Sequence, residues 1–374
     1  MGVEGEPRFD IFTQEVRLAS KGNDRFQWTL GAFYRDAETS TTASATLTPA
    51  LLPPGFPLLS SEGTNPADSR SWAVFGEVSY DILPNLNALV GLRYFEDRRR
   101  QDSISTVFGA TSVDIGRGNF HALSPRFNLS WRPSARVNLY ANVAKGFRSG
   151  GFNSAAAGAG LVAVPPTYDP DTLWSYEVGG KFQSADRKVS LELAGYRNAW
   201  TGVQTTTNVA GLPISFTSNG GKISGWGADG SLNYSPTDTL TLGLTASWND
   251  MEYKSDSAEH LAGDRADYVP RFTGSAFAEY RFTLGDLPSF ARVDYQYSSR
   301  FQVFLRNFQV APGFSDEQDI LNARIGVSGG SWTAAAFVRN LLNRDSVIYP
   351  AIATLPYPAR LEPRAAGVMF SVKY

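Results

Sequence analysis

Arginine supplies most of the recognisable chemistry in this chain. Arg98, Arg99 and Arg100 stand side by side, and Arg35, Arg93 and Arg148 each sit near one end of a run that alternates apolar with polar residues. A guanidinium carries a planar fork of donors that matches phosphate and carboxylate oxygens two at a time, so these groups suit the capture of an anion. Covalent catalysis has less to work with. The chain has no Cys and two His, His121 and His260, which removes thiolate metal sites and leaves a serine nucleophile short of bases. His121, read as opening a strand, and His260, inside a loop, are expected to be solvated, and no G-x-S-x-G string accompanies either. Gly158-Ala159-Gly160 has no lysine or strand fingerprint beside it and reads as flexible filler rather than a phosphate cradle. Catalytic residues, metal ligands and cofactors are therefore not expected. The 34 Lys and Arg balance 36 Asp and Glu to a net charge of −2, and the basic residues are scattered rather than striped, so nucleic acid is not an expected partner.

Strands must position these groups. Apolar residues recur at every second position, as in Leu240, Leu242, Leu244, Ala246 and Trp248 against Thr239, Thr241, Thr245 and Ser247, or Ala291, Val293, Tyr295 and Tyr297 against Arg292, Asp294 and Gln296. Successive side chains on a strand point to opposite faces, so each run has one oily and one polar face. The connectors alternate between short, near Lys21-Asp24, Leu83-Asn85, Pro133-Ala135, Ala185-Asp186, Ser235-Asp238, Gly285-Pro288 and Gly329-Gly330, and long, near 36-70, 97-118, 148-172, 201-222, 250-267, 302-316 and 345-362. That rhythm belongs to an all-β, antiparallel transmembrane β-barrel with short periplasmic turns and long extracellular loops. The rings agree with it. Tyr80, Trp131, Phe182, Tyr234 and Phe282 lie on the oily face close to short turns, while Trp72, Tyr94, Trp174 and Trp248 lie at the other strand ends. Two such belts are what two membrane interfaces require. A mean hydropathy of −0.22 is compatible with this, because only every second residue meets lipid.

Fifteen strands are predicted, near 9-20, 25-36, 70-82, 86-97, 119-132, 136-148, 172-184, 187-200, 222-234, 239-250, 268-283, 289-301, 317-328, 331-344 and 363-374. No linker divides them, so residues 1-374 read as one barrel domain. Bacterial single-chain barrels have even counts, and an open edge in lipid strands backbone groups at several kcal/mol each, so the chain is expected to be the C-terminal part of something larger. MGVEGEPRFD has no signal-peptide character. Phase directs Arg35, Arg93, Arg99 and Arg148 inward near the outer end as ligand-binding candidates, with pairing to lumen carboxylates equally open. Arg98 and Arg100 point outward, toward lipopolysaccharide phosphates. Glu177, Asp229, Glu279 and Asp294 also point inward. A carboxylate pair for glycoside hydrolysis stays open there, although solvating charge is the preferred reading. Phe301, Phe304, Phe308 and Phe314 crowd one loop, read as an extended strand rather than an aromatic lid.

The last strand carries Gly367-x-x-Phe370-x-Val372-x-Tyr374, which resembles the C-terminal signal that the barrel-assembly machinery recognises. AKGFRSGGFN at 144-153, LWSYEVGGKF at 173-182, SPRFNLSWRP at 124-133, FVRNLLNRD at 337-345 and EPRAAGVMFSVKY at the end resemble the barrel half of TonB-dependent outer-membrane receptors. The resemblance spans the chain in order. It implies a complete barrel of about 22 strands, of which these are the last fifteen, with the plug, the TonB box and the signal peptide lying elsewhere. It also implies active uptake of a scarce ligand across the outer membrane of a Gram-negative bacterium. Ferric siderophores lead, with saccharides, cobalamin and plant-derived aromatics open. TonB would act only through the plug, so residues 1-374 alone are not expected to support uptake. A passive porin or a non-transporting outer-membrane barrel is the alternative.

Overall fold

The computed structural model describes residues 2–22, 24–46, 60–107, 110–153, 163–208, 215–257, 260–303, 313–350 and 357–373. Fifteen strands form one sheet in which each pairs with its sequence neighbours. They are β1 (Gly2–Ala19), β2 (Phe26–Thr46), β3 (Ser60–Leu83), β4 (Leu86–Val107), β5 (Ala110–Ser134), β6 (Val137–Arg148), β7 (Asp171–Gln183) and β8 (Val189–Thr201), followed by β9 (Lys222–Tyr234), β10 (Leu240–Tyr253), β11 (Phe272–Leu284), β12 (Leu287–Ser298), β13 (Gln318–Ser328), β14 (Trp332–Arg339) and β15 (Ala365–Val372). Every pairing is antiparallel, and among the described residues β1 and β15 each pair on one side only. The alternation of short and long connections follows the predicted one, because each oily run ends where Gly, Pro, Asn or Asp permits a turn.

Register carries each face across the sheet. Leu232 opposes Leu244, Leu244 opposes Ala276, Ala276 opposes Tyr295 and Tyr295 opposes Leu321. Leu244, Val293 and Tyr295 are 50%, 46% and 37% exposed, whereas Arg292 and Asp294 are only partly exposed and paired with each other. The oily rows therefore look outward and the charged rows inward, opposite to a soluble protein. Tyr80, Trp131, Phe182 and Tyr234 at one rim, and Trp72 and Trp248 at the other, are exposed on the oily face. Trp72 lies 5.5 Å from Tyr94, ring to ring. No helix among the described residues is long and apolar enough to cross a membrane, so crossing falls to the strands.

The first five strands depart from expectation. They run for 18 to 25 residues, and a tilted strand needs about 9–11 to cross the hydrocarbon. Much of the predicted loops at 36-70 and 97-118 is thus continuing strand, paired residue for residue from Asp36↔Arg70 to Thr46↔Ser60 and from Arg98↔Asn119 to Val107↔Ala110. Beyond the membrane both faces meet water, so the alternation that betrays a strand fades while the backbone ladder continues. Conversely, β14 ends at Arg339, where the side chain of Asn340 bonds the carbonyls of Arg344 and Glu362. β15 keeps the predicted alternation, with Val368, Phe370 and Val372 exposed on one face and Gly367 opposite Phe337 on the other. Tyr374, Gly158-Ala159-Gly160, Phe304 and Phe308 lie outside the described residues. Phe314 pairs with Gln302 in a two-residue ladder.

Candidate functional site

The inner wall is built from aromatic rings as much as from charge. Phe75, on the same face as Glu77, reaches over Gly31, where an added Cβ would come within 2.2 Å of its ring. Arg17 and Arg93 flank that ring at 5.6 and 5.7 Å. Arg93 also sits 5.4 Å from the ring of Phe33 and 6.0 Å from that of Phe95. Among the described residues it has no carboxylate at ion-pair distance, so its charge is held by ring faces alone. The arrangement recurs where Phe277 covers Gly243 and Arg292 stacks on Phe277 at 3.9 Å, with Glu279 and Asp294 as its ion partners. Arg324 over Phe290 and Arg339 over Phe337 repeat it at 5.6 and 5.2 Å.

Sequence reasoning had no place for these inward phenylalanines. Their signal was present: Phe33, Phe75, Phe95 and Phe277 fall on the polar phase of their strands, two residues from Arg35, Glu77, Arg93 and Glu279 respectively, and so break the alternation.

The four predicted inward arginines divide into two kinds. Arg99 and Arg148 are tied down. Arg99 bonds the carboxylate of Asp97 and the carbonyl of Gly150 at 3.1 Å, while Asp97, 1% exposed, also accepts from Ser69 and Ser71. Arg148 donates from Nε to Asp171 at 2.8 Å and reaches the carbonyl of Gln204 at 3.1 Å, its guanidinium 4.6 Å over the ring of Trp200. Asp171, also 1% exposed, accepts in addition from the Gln204 amide. These two clusters fasten Gly150 and Gln204, at the start of two long connections, to the wall. Arg35, between Thr13 and Ser71, and Arg93 have no carboxylate partner among the described residues. Substituting Arg148 with Gln is expected to cost about 1.5 kcal/mol of local order. It should appear as faster protease nicking within 149–170 with the barrel's melting little changed.

Arg98 and Arg100 face outward, as phase required, but they lie within β4 rather than leaving its end. Arg98 pairs with Glu96 at 3.2 Å and Arg100 with Asp102 at 2.7 Å. The Arg100 guanidinium holds the Asp102 carboxyl below the usual carboxylate range. Arg70 directly opposes Arg98, and Arg117 opposes Arg100, so four guanidiniums cluster just beyond the Trp72/Tyr94 rings. Like charges facing across strands repel unless an anion intervenes.

Both histidines are placed differently from expectation. His121 is in mid-strand on the outer face, opposite Glu96. His260, expected to be solvated, is 3% exposed, because its loop folds back onto the end of β10 and its ring stacks on Tyr253 at 3.8 Å. Among the described residues no group of three or more His, Cys, Asp or Glu is arranged to hold a metal. On the inner wall a recess of about 440 Å³ is lined by Asp229, Thr245, Ser247, Ser275, Gln296 and Gln318. Within it Thr245 and Ser275 share a hydrogen bond at 2.7 Å, and Ser247 donates to Asp229 at 2.5 Å.

Comparison with known proteins places these features in context. The family profile described as "TonB dependent receptor-like, beta-barrel" matches residues 4–341. A metal-pseudopaline receptor of Pseudomonas aeruginosa is 27% identical over 205 residues, which is 53% of this chain and 26% of that protein. Among solved structures, the ferric yersiniabactin uptake receptor of Yersinia pestis superposes with a TM-score of 0.77 at 17% identity, over 98% of this chain and 53% of its own. The siderophore receptor PiuA of Acinetobacter baumannii gives 0.74 at 15%, over 98% and 56%. The chain thus spans about half the length of these solved structures and about a quarter of the curated relative.

Proposed function

Because this chain belongs to the TonB-dependent receptor-like β-barrel family of the Gram-negative outer membrane, we propose that it forms the wall and much of the ligand mouth of an active-transport receptor. The observation that carries the reading is the contrast between the two faces: an oily, ring-banded exterior and an interior of arginines stacked on phenylalanines. A porin needs only a hydrated lumen. A wall that holds Arg93 without a carboxylate partner among the described residues offers cationic charge to an anionic cargo.

Ferric siderophores and related metal chelates are the proposed ligands, with Arg35 and Arg93 as the contacting residues and Arg99 and Arg148 as the groups that shape the mouth around them. The reading is supported by similar proteins described as metal-pseudopaline, ferric yersiniabactin and siderophore receptors. Saccharides and cobalamin are further ligands for the same trial. TonB would act through a plug carried by the remainder of the receptor, and the role proposed for this wall is transport. The oily last strand with Phe370 and Val372 would address the chain to the assembly machinery. Arg98 and Arg100, above the outer rings, would meet lipopolysaccharide phosphates.

Uptake of radiolabelled iron chelates by cells making the intact receptor tests this. Accumulation should require both TonB and the proton-motive force, and residues 1–374 alone should not rescue a receptor-deficient strain. Undiminished accumulation in a TonB-deficient strain would make the protein a passive pore.

A further inference from the structure

The inner face of β11 to β14 carries more positive charge than its own carboxylates balance. Arg281, Arg292, Arg324 and Arg339 fall on that face, and the carboxylates that share it on these strands are Glu279 and Asp294. Register sets the four arginines on a diagonal. Arg339 lies two residues from Phe337, Phe337 opposes Arg324, Arg324 opposes Arg292, and Arg281 opposes Phe290, two residues below Arg292. Glu279 pairs with Arg281 at 3.0 Å and with Arg292 at 3.3 Å, and Asp294 pairs with Arg292 at 2.6 Å. Those four groups neutralise one another. Arg324 is left over, with no carboxylate at ion-pair distance among the described residues and the ring of Phe290 5.6 Å beneath it.

A recess of about 330 Å³ is lined by Arg281, Glu279, Phe290, Arg324 and Ser328. The Phe290 ring backs it by covering Gly326, where an added Cβ would come within 2.6 Å of that ring. Arg281 and Arg324 stand on β11 and β13 with Phe290 of β12 between them. Two strand spacings, about 10 Å, therefore separate their backbones across the sheet, which leaves room for one small anion between two guanidiniums. The Arg281 side chain is 70% exposed. Position sets this recess apart from the mouth. Leu287 opens β12 and Ser328 ends β13 at short periplasmic turns, whereas Arg35 and Arg93 lie toward the outer rings of Trp72 and Tyr94.

We propose that this recess is a second anion station, on the periplasmic side of the lumen, in which Arg324 and Arg281 hold a phosphate or carboxylate group of a small ligand. The inference deepens the transport reading and rests on it only for taking that ligand as cargo already past the mouth. Guanidinium forks hold phosphate and carboxylate oxygens two at a time. A ring face beneath Arg324 steadies its charge without consuming its N–H donors. Glu279 does not turn the anion away, because Arg281 and Arg292 already neutralise it.

Phenylglyoxal labelling of the intact receptor in lipid nanodiscs, read residue by residue by mass spectrometry, tests the station with inorganic pyrophosphate and with citrate as probes. No uptake is measured, so its failure is separable from failure of the transport reading. Pyrophosphate, citrate or both should slow labelling of Arg281 and Arg324 several-fold and leave Arg136, exposed in the β5–β6 turn, unchanged. Arg324→Gln should weaken the probe about 10- to 100-fold and so remove the protection of Arg281, while Arg324→Lys should restore only part of it. Equal slowing at Arg136 would mark general ionic screening, and an Arg324 that does not react at all would mean that another part of the receptor covers this wall. Either result overturns the proposal, as does protection of Arg281 that survives in Arg324→Gln. If Arg324→Gln fails to assemble, Arg281→Gln decides, since Glu279 keeps Arg292 as a partner and loss of protection at Arg324 is then the expected result.

Discussion

Replacing Gly225 by alanine is expected to prevent this sheet from assembling in its native register. The Cβ of such an alanine would stand 1.9 Å from the carbonyl oxygen of Asp250 and 2.8 Å from the Cα of Met251. These are backbone atoms of β10, held by the ladder in which Gly225 faces Met251. The inner-wall glycines under Phe75 and Phe277 differ, because a ring can swing aside at the cost of its arginine contact. Here the strand itself would have to move. Overpacking a well-filled site costs about 1–3 kcal/mol where side chains can yield, and more where they cannot, so a loss above about 3 kcal/mol is expected. The readout is the heat-modifiable shift of the folded barrel on gels, together with urea unfolding in micelles. Gly195→Ala is the control. Its Cβ would meet nothing within 4 Å, so it should stay within about 0.5 kcal/mol of the parent. Equal behaviour of the two variants would show that the approach of β9 to β10 is looser than described.

Arg93→Gln should weaken ligand capture far more than it weakens the barrel. Its guanidinium lies against the rings of Phe33, Phe75 and Phe95 with no carboxylate partner among the described residues, so no ion pair is broken by removing it. A charge-assisted hydrogen bond to a ligand carries about 1.5–3 kcal/mol, or about 10- to 100-fold in affinity. Binding of ferric chelates to the intact receptor should fall by that factor. Arg93→Lys should recover only part, since an ammonium keeps charge but loses the fork and much of the ring stacking. Arg99→Gln, by contrast, removes a partner of buried Asp97 and should chiefly loosen the mouth. Unchanged affinity in Arg93→Gln, or a loss no greater than in Arg99→Gln, would remove Arg93 from the binding set.

The membrane-crossing parts of the strands, and the direction of the side chains on them, were legible from the alternation alone. One residue of slip would turn Leu240, Leu242 and Leu244 into the lumen and Arg292 toward lipid, so a two-faced wall leaves a single register open. The outward aim of Arg98 and Arg100 and the inward aim of Arg99 came from the same parity. The outer halves of β1 to β5 were not legible, because a strand with water on both faces needs no oily row. The inward phenylalanines were overlooked for a related reason: a ring that covers a glycine on the next strand is recognisable only once Gly31 is known to face Phe75.

Pairing needed three dimensions. Composition and phase made Arg35, Arg93, Arg99 and Arg148 equivalent, yet Arg99 meets the carbonyl of Gly150 and Arg148 that of Gln204, 51 and 56 residues away along the chain. His260 looked like a solvated loop residue until the fold-back at Gly263 brought Tyr253 over its ring and Asp267 to its Nε2. Side-chain direction on a strand is a local property of the backbone, repeated every two residues, and so it can be read from one segment at a time. Whether a charge is tied or available depends on which connections return to it, and that is set by how several hairpins close together.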